Sequence, residues 1–223
     1  MKALILAAGR GERMRPLTDS IPKPLLQAGG RALIEHTIAA LAHSGISELV
    51  INHAHLGAQI EKRLGDGSDY GVHIEYSPEP EGALDTGGGI LRALPRLGDA
   101  PFLVVNGDIW TDFPFSSLRR DFSSLAHLVL VDNPPHHPEG DFYLKDGRVH
   151  SGGRGPRLTF SGIGVYSPRL FSGSNPGVFP LIPLLRGAME RGEVSGEQYR
   201  GLWFDIGTPD RLAALDRRLK ERE

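Results

Sequence analysis

Residues 3–25 read ALILAAGRGERMRPLTDSIPKPL, and the reading of the whole chain follows from them. An apolar run, residues 3–8, breaks at Gly9 and Gly11. Four basic side chains follow, Arg10, Arg13, Arg15 and Lys23, opposed only by Glu12 and Asp19. A buried strand that ends in a glycine-rich turn lets backbone N–H groups approach an anion closely, because glycine has no Cβ and tolerates positive φ. Guanidinium and ammonium groups beside it supply charge and donors for phosphate oxygens. The stretch therefore reads as a site for a nucleoside triphosphate.

Blander readings exist. A lone G-x-G can be an ordinary tight turn, and a single arginine is usually a solvated surface residue. The dinucleotide fingerprint G-x-G-x-x-G fails, because Met14 stands where its third glycine is needed, and the pattern G-x-x-x-x-G-K-[ST] is absent. What remains is a composite: A-A-G-x-G-x-R, then Pro16-Leu17-Thr18, then Pro22-Lys23-Pro24.

Outward from this loop, apolar spacing predicts a helix over residues 32–43 that stops at Gly45, a strand over 48–52, a helix over 56–64 ended by Gly65-Asp66-Gly67, and a strand over 72–76. Strands alternating with helices argue for an α/β fold with parallel strands joined by crossovers. Residues 77–89, SPEPEGALDTGGG, read as a long polar loop before a helix over 90–96. Residues 102–105, all apolar, read as a central strand ending in Asn106-Gly107-Asp108. Ligands of open α/β sheets bind beyond the carboxyl ends of strands, so chemistry is expected there. The second half is less regular: a strand over 126–131, a hairpin over 142–150 turning at Asp146-Gly147, a strand over 158–166 containing Ser161-Gly162, a helix over 181–191, a last strand over 202–206, and a helix over 209–220 with Thr208 as its N-cap. No repeat or linker divides the 223 residues. They read as one domain, with a nucleotide-binding half over 1–107 and a sugar-phosphate-binding half over 108–223.

A formal net charge of −2 argues against general nucleic-acid binding, which prefers a basic surface. There is no cysteine, hence no disulfide and no thiolate chemistry. The opening apolar run is too short to span a membrane and lacks the layout of a signal peptide, so a cytoplasmic protein without membrane partners is expected. The sequence does not fix the oligomeric state, and a monomer is the expectation.

Three further constellations could carry chemistry. Asp108, on the turn after a central strand, suits Mg²⁺, a hard cation that shares oxygen ligands with phosphates; an Asn-Gly-Asp turn also suits any loop. Asp205 lies in an apolar strand, where a carboxylate is costly unless paired or bound to metal; it could instead cap the next helix, although Thr208 is better placed to do so. Gly87-Gly88-Gly89 before a helix permit close approach of a base or a phosphate, or simply make a flexible loop.

Taken in order along nearly the whole chain, these motifs resemble the sugar-1-phosphate nucleotidyltransferase family. That resemblance implies a Rossmann-like, mixed but mostly parallel sheet between helices. It places Gly9, Gly11, Glu12 and Arg13 in the triphosphate loop and Lys23 against the α-phosphate and the sugar phosphate, with Arg13 and Lys23 serving catalysis. Asp108 and Asp205 would hold Mg²⁺. Gly87 and Gly88, with Pro80 or Glu81, would line the base. Asn106, Asp141, Ser161 and Gly162 would face the sugar. Within the family, INHAHLG (51–57), VNGDIWTD (105–112), HLVLVDNPPHH (127–137), TFSGIGVY (159–166) and VSGEQYRGLWFDIGT (194–208) look most like the short bacterial uridylyltransferases acting on N-acetylmuramate α-1-phosphate in peptidoglycan recycling. UTP and the sugar phosphate would be the substrates. The alternatives are a relative using mannose-1-phosphate with GTP or glucose-1-phosphate with dTTP, and a non-catalytic regulatory subunit that binds a nucleotide sugar. The histidines have no zinc-like spacing, and His136-His137 reads as part of a solvated loop.

Overall fold

The computed structural model describes residues 1–80, 82–118 and 123–221. Its first half is built as the alternating pattern requires. Strand β1 (Ala3–Leu6) is followed by a two-residue pair, β2 (Gln27–Ala28) and β3 (Arg31–Ala32), then α1 (Leu33–His43), β4 (Glu48–His53), α2 (Gly57–Leu64), β5 (His73–Pro78), α3 (Asp85–Leu97) and β6 (Phe102–Asn106). Strands β5, β4, β1 and β6 lie side by side and parallel. β1 is in the middle, so the loop after it opens between the carboxyl ends of its two neighbours.

The second half continues the same sheet with strands of both directions. β7 (Ile109–Thr111) leaves it; β8 (Ala126–Val131), β9 (Tyr143–Lys145), β10 (Arg148–His150), β11 (Thr159–Tyr166) and β12 (Val194–Tyr199) extend it to nine strands in the order β5-β4-β1-β6-β11-β8-β12-β10-β9. β11 is antiparallel to β6, and β8 is antiparallel to β11. Helix α4 (Ile182–Glu190) precedes β12, and β13 (Trp203–Asp205) leads into α5 (Pro209–Lys220). The Thr208 hydroxyl caps α5 by accepting from the Arg211 amide, and the hairpin turns at Asp146-Gly147.

Adjacent residues of the central strands feed opposite faces. Ile5, Ile51, Leu103 and Val105 join one buried cluster with Ile34, Ile38 and Ile60. Leu4, Val50, Phe102 and Val104 join another with Ile90 and Leu185. This is why these strands read as unbroken apolar runs. A smaller cluster joins Met14, Leu26, Ala28 and Leu33 to Ile206 and Leu215. It packs the N-terminal loop onto the last helix, supported by the Gly29 amide donating to Asp216 Oδ1 at 2.9 Å.

One sequence expectation is corrected, and the last strand finds its place. The helix expected over 90–96 starts at Asp85, so Gly87, Gly88 and Gly89 lie within its first turns rather than in a loop. A Cβ on Gly87 would fall 2.5 Å from Phe179 Cε2, and one on Gly88 2.1 Å from the Gly177 carbonyl oxygen. Close packing against this distant segment outweighs glycine's poor helix propensity. The last strand does not join the main sheet. Among the described residues β13 pairs with β7 alone, in an antiparallel ribbon, and β12, whose sequence is mostly polar, takes the sheet position beside β8.

Glu35 anchors the start of α1. Its Oε2 accepts from the Ala32 amide at 2.9 Å, and its Oε1 accepts from Arg63 Nε and the Tyr70 hydroxyl, each at 2.8 Å. Burial pushes the carboxyl pKa up, but these three donors outweigh burial and hold it below the usual range. Its stabilisation is therefore present above the ordinary carboxylate pKa and lost as the pH falls through the lowered one. Glu35→Gln is expected to cost about 1–3 kcal/mol at pH 7. Denaturant titrations of both proteins should show that gap narrowing at acid pH; a gap independent of pH would contradict the role.

Candidate active site

β1 ends at Leu6, and the chain then enters the cleft. The Ala7 amide donates to Asn52 Oδ1, at the end of β4, at 2.8 Å. Gly11 has φ +70°, and a Cβ there would sit 3.0 Å from Thr18 Cγ2 and 3.1 Å from Lys23 Cβ. The Thr18 hydroxyl donates to the Gly11 carbonyl at 2.8 Å. Gly11 is thus where the loop folds back on itself and brings Lys23 beneath it. Lys23 is only 7% exposed, and its Nζ donates to Asp108 Oδ2 at 2.5 Å. Arg13 is exposed in the same cleft and has no hydrogen bond or ion pair among the described residues.

The facing wall begins at Asn106. The Gly107 amide donates to the Leu6 carbonyl at 2.8 Å, and a Cβ on Gly107 would lie 2.6 Å from that same oxygen. Only a residue without a side chain lets the turn carrying Asp108 lie so close to β1. The ribbon of β7 and β13 then pairs Asp205 with Ile109, and the Ile206 amide donates to the Asp108 carbonyl at 2.9 Å. Asp108 and Asp205 are therefore neighbours, through this ribbon rather than through two strand ends of the main sheet. Their carboxylates have separate partners: Lys23 for Asp108, and for Asp205 both Arg211 Nη1 at 2.5 Å and His136 Nε2 at 3.2 Å. Pairing with Arg211 accounts for an aspartate among apolar neighbours.

Among the described residues no group of three or more His, Asp or Glu side chains is arranged to hold a metal. The donor set nevertheless suits Mg²⁺, which is commonly held by one or two carboxylates with waters and substrate phosphates completing its shell. Oδ1 of Asp108 and Oδ1 of Asp205 each have no hydrogen bond among the described residues.

Of the residues expected to face the sugar, Asn106 and Gly162 meet. β11 is bulged between Phe160 and Ile163, and a Cβ on Gly162 (φ +79°) would lie 2.6 Å from Asn106 Nδ2. Ser161 is turned inward: its hydroxyl donates to the Val129 carbonyl at 2.7 Å, and its own carbonyl accepts from Trp203 Nε1 at 2.9 Å. Asp141 Oδ2 accepts from the Phe160 amide at 2.8 Å, and its Oδ1 lies 3.1 Å from His137 Nε2. The histidine pair is therefore not merely a solvated loop: His136 meets Asp205 and His137 meets Asp141.

The cleft has a volume of about 490 Å³ and is lined by the loop after β1, by Asn52, Asn106 and Asp108, and by Glu79, Ala83, Asp85 and Thr86. Pro80, Gly87 and Gly88 are not among its lining residues, and Glu81 lies outside the described residues. Sequence reasoning missed Asn52 and Glu79. Asn52 Nδ2 donates to Glu79 Oε1 at 2.6 Å, and Glu79 Oε2 accepts from the Leu84 amide at 2.7 Å, so this pair fastens the loop before α3 to β4. The signal available was position: an asparagine closing an apolar strand beside the glycine loop.

A sequence profile described as nucleotidyl transferase matches residues 2–146. The chain belongs to the nucleotidyl transferase family. Over 222 residues, and 95% of both chains, it is 57% identical to the N-acetylmuramate alpha-1-phosphate uridylyltransferase of Neisseria meningitidis serogroup B. It is 32% identical to the protein of that name from Caulobacter vibrioides, over 98% of this chain and 97% of the other. Among solved structures, the inositol-1-phosphate CTP transferase of T. maritima aligns with a TM-score of 0.79 over 99% of this chain and 96% of that one, at 19% identity, a likeness of fold alone. As a nucleotidyl transferase, the chain carries its buried Lys23 and its exposed Arg13 on the loop that opens the cleft. Lys23→Ala should lower turnover by about 10²–10³ while far-UV circular dichroism still shows a folded protein. Near-normal turnover would remove Lys23 from the chemistry.

Proposed function

We propose that this nucleotidyl transferase transfers UMP from UTP to N-acetylmuramate α-1-phosphate, giving UDP-N-acetylmuramate and pyrophosphate. The observation that carries the reading is the 57% identity over 95% of both chains to a relative of that name. The presence of Arg13, Lys23 and Asp108 together in one cleft supports a working enzyme over a regulatory subunit. Mannose-1-phosphate guanyltransferase beta-B of Xenopus laevis is 27% identical, and the match spans 62% of its length, which favours GTP and mannose-1-phosphate less.

A phosphate oxygen of the acceptor attacks the α-phosphorus of UTP. A P–O bond forms there, the bond between the α-phosphorus and the bridging oxygen breaks, and pyrophosphate leaves with that electron pair. The acceptor phosphate is already ionised near neutral pH, so no protein nucleophile or general base is needed. The chain's contribution is positioning and charge. Backbone around Gly9 and Gly11, with Glu12 and Arg13, receives the triphosphate, and Lys23 lies between the two phosphates that react. The base rests against the segment before α3, and Asn106, Gly162 and Asp141 border the sugar. Asp108 and Asp205 would hold Mg²⁺, which when bound neutralises phosphate charge and acts as a Lewis acid. UTP and a cell-wall sugar place the reaction in the cytoplasm, in peptidoglycan recycling. No helix among the described residues is long and apolar enough to cross a membrane.

A pyrophosphate-release assay over UTP, GTP and dTTP, each with four sugar-1-phosphates (N-acetylmuramate, N-acetylglucosamine, mannose and glucose), tests this. UTP with the muramate should give the highest kcat/KM, about tenfold or more above the glucosamine sugar. Activity should vanish with EDTA and return with Mg²⁺. Equal or reversed preference between the two N-acetyl sugars would overturn the acceptor assignment.

A further inference from the structure

Gly207 lines the cleft. A Cβ built on it would lie 2.3 Å from Arg211 Nη2 and 3.1 Å from Arg13 Nη2. Two guanidinium nitrogens, one from the N-terminal loop and one from the first turn of α5, thus lie within 3.1 Å of a single point on the cleft wall. Neither is spent. Arg13 has no partner among the described residues. Arg211 uses its other nitrogens: Nη1 donates to Asp205 Oδ2 at 2.5 Å and lies 2.6 Å from His136 Nε2, and Nε donates to the Thr208 hydroxyl at 3.4 Å. Its Nη2 has no hydrogen bond among the described residues. Asp205 and Thr208 therefore hold the guanidinium plane and leave the Nη2 edge beside Gly207, a residue of the cleft wall.

Two like charges converging on a bare glycine repel each other, and one oxyanion accepting from both relieves that repulsion. A planar fork held on one side is preorganised to donate on the other. A side chain at 207 would close the space. We propose that Arg211, with Arg13 across Gly207, forms an oxyanion subsite for the acceptor substrate. The acceptor is favoured over the nucleotide because the neighbours of Arg211 are Asp205 and His136, both from the second half of the chain, and His136 adjoins the His137–Asp141 contact. This rests on the transfer reaction proposed above. The shared chemistry is an oxyanion, which the acceptor can present as its phosphate or as the carboxylate of the lactyl ether of muramate.

Arg211→Ala and Arg211→Lys test the subsite. Steady-state kinetics would give KM separately for UTP and for two acceptors, N-acetylmuramate α-1-phosphate and N-acetylglucosamine-1-phosphate, which lacks the lactyl group. The alanine variant should raise acceptor KM about tenfold or more while leaving KM for UTP nearly unchanged, with lysine recovering part of the loss. A rise for both acceptors identifies the phosphate as the occupant; a rise confined to the muramate identifies the carboxylate. Calorimetric binding of each acceptor to the parent and to both variants reads the subsite without turnover. Weaker acceptor binding in the variants therefore upholds it even if UTP is not the donor, whereas the parent's own substrate preference judges the proposed reaction. If the alanine variant does not fold, the lysine variant, which keeps a cation beside Asp205, carries the comparison. Unchanged acceptor KM and binding, or a rise in KM for UTP alone, would overturn the proposal and leave Arg211 as no more than a partner for Asp205.

Discussion

Burying an ammonium is costly unless a carboxylate meets it, and the pair formed by Lys23 and Asp108 meets that requirement on the cleft wall. It ties the glycine-rich loop after β1 to the turn after β6, two segments distant in sequence that the parallel sheet sets side by side. Much of the surrounding structure is arranged to make that contact possible. Gly11 has the conformation and the missing side chain that let the loop close over Lys23, and Gly107 lets the Asp108 turn lie against β1. The small cluster of Met14, Leu33, Ile206 and Leu215 holds the outer side of the loop against α5.

From this pair the site extends in two directions. Toward β4, Asn52 accepts from the Ala7 amide and donates to Glu79, so one buried amide side chain sets both the start of the glycine loop and the segment that leads into α3. Toward α5, the ribbon of β7 and β13 hangs from the Asp108 carbonyl and brings Asp205, Arg211 and His136 together. The cleft is thus walled by three strand ends of the sheet, and by Asp108 and Gly207, which flank the ribbon. Two cations of the N-terminal loop, Arg13 and Lys23, line it, as a reaction between two phosphates requires.

Much of this could be read from the sequence where the cause is local. The apolar runs at 3–8 and 102–105, the glycine-basic loop, the Asp146-Gly147 hairpin and the Thr208 cap each depend on neighbours within a few residues. What could not be read depends on distant partners. Gly87 to Gly89 look like a loop until Phe179 and Gly177 are seen pressing on them. Residues 194–199 look too polar for a sheet strand until β8 supplies their partner. The inward hydroxyl of Ser161 follows from the bulge in β11, and the engagement of His136 with Asp205 follows from the path of its loop. Arg211 had no motif to mark it, because its meaning comes from Gly207 and Arg13.

Lys23 and Asp108 are expected to act as one unit in the reaction. A double-mutant cycle on turnover tests this directly, with Lys23→Ala, Asp108→Asn and the two combined, measured at saturating UTP, acceptor and Mg²⁺. If the pair is one unit, each single change costs about 10²–10³, and the double variant falls no more than about tenfold below the worse single. Losses that multiply in the double variant would contradict the account, because they would mean that the lysine and the aspartate contribute independently and that their contact is incidental to the chemistry.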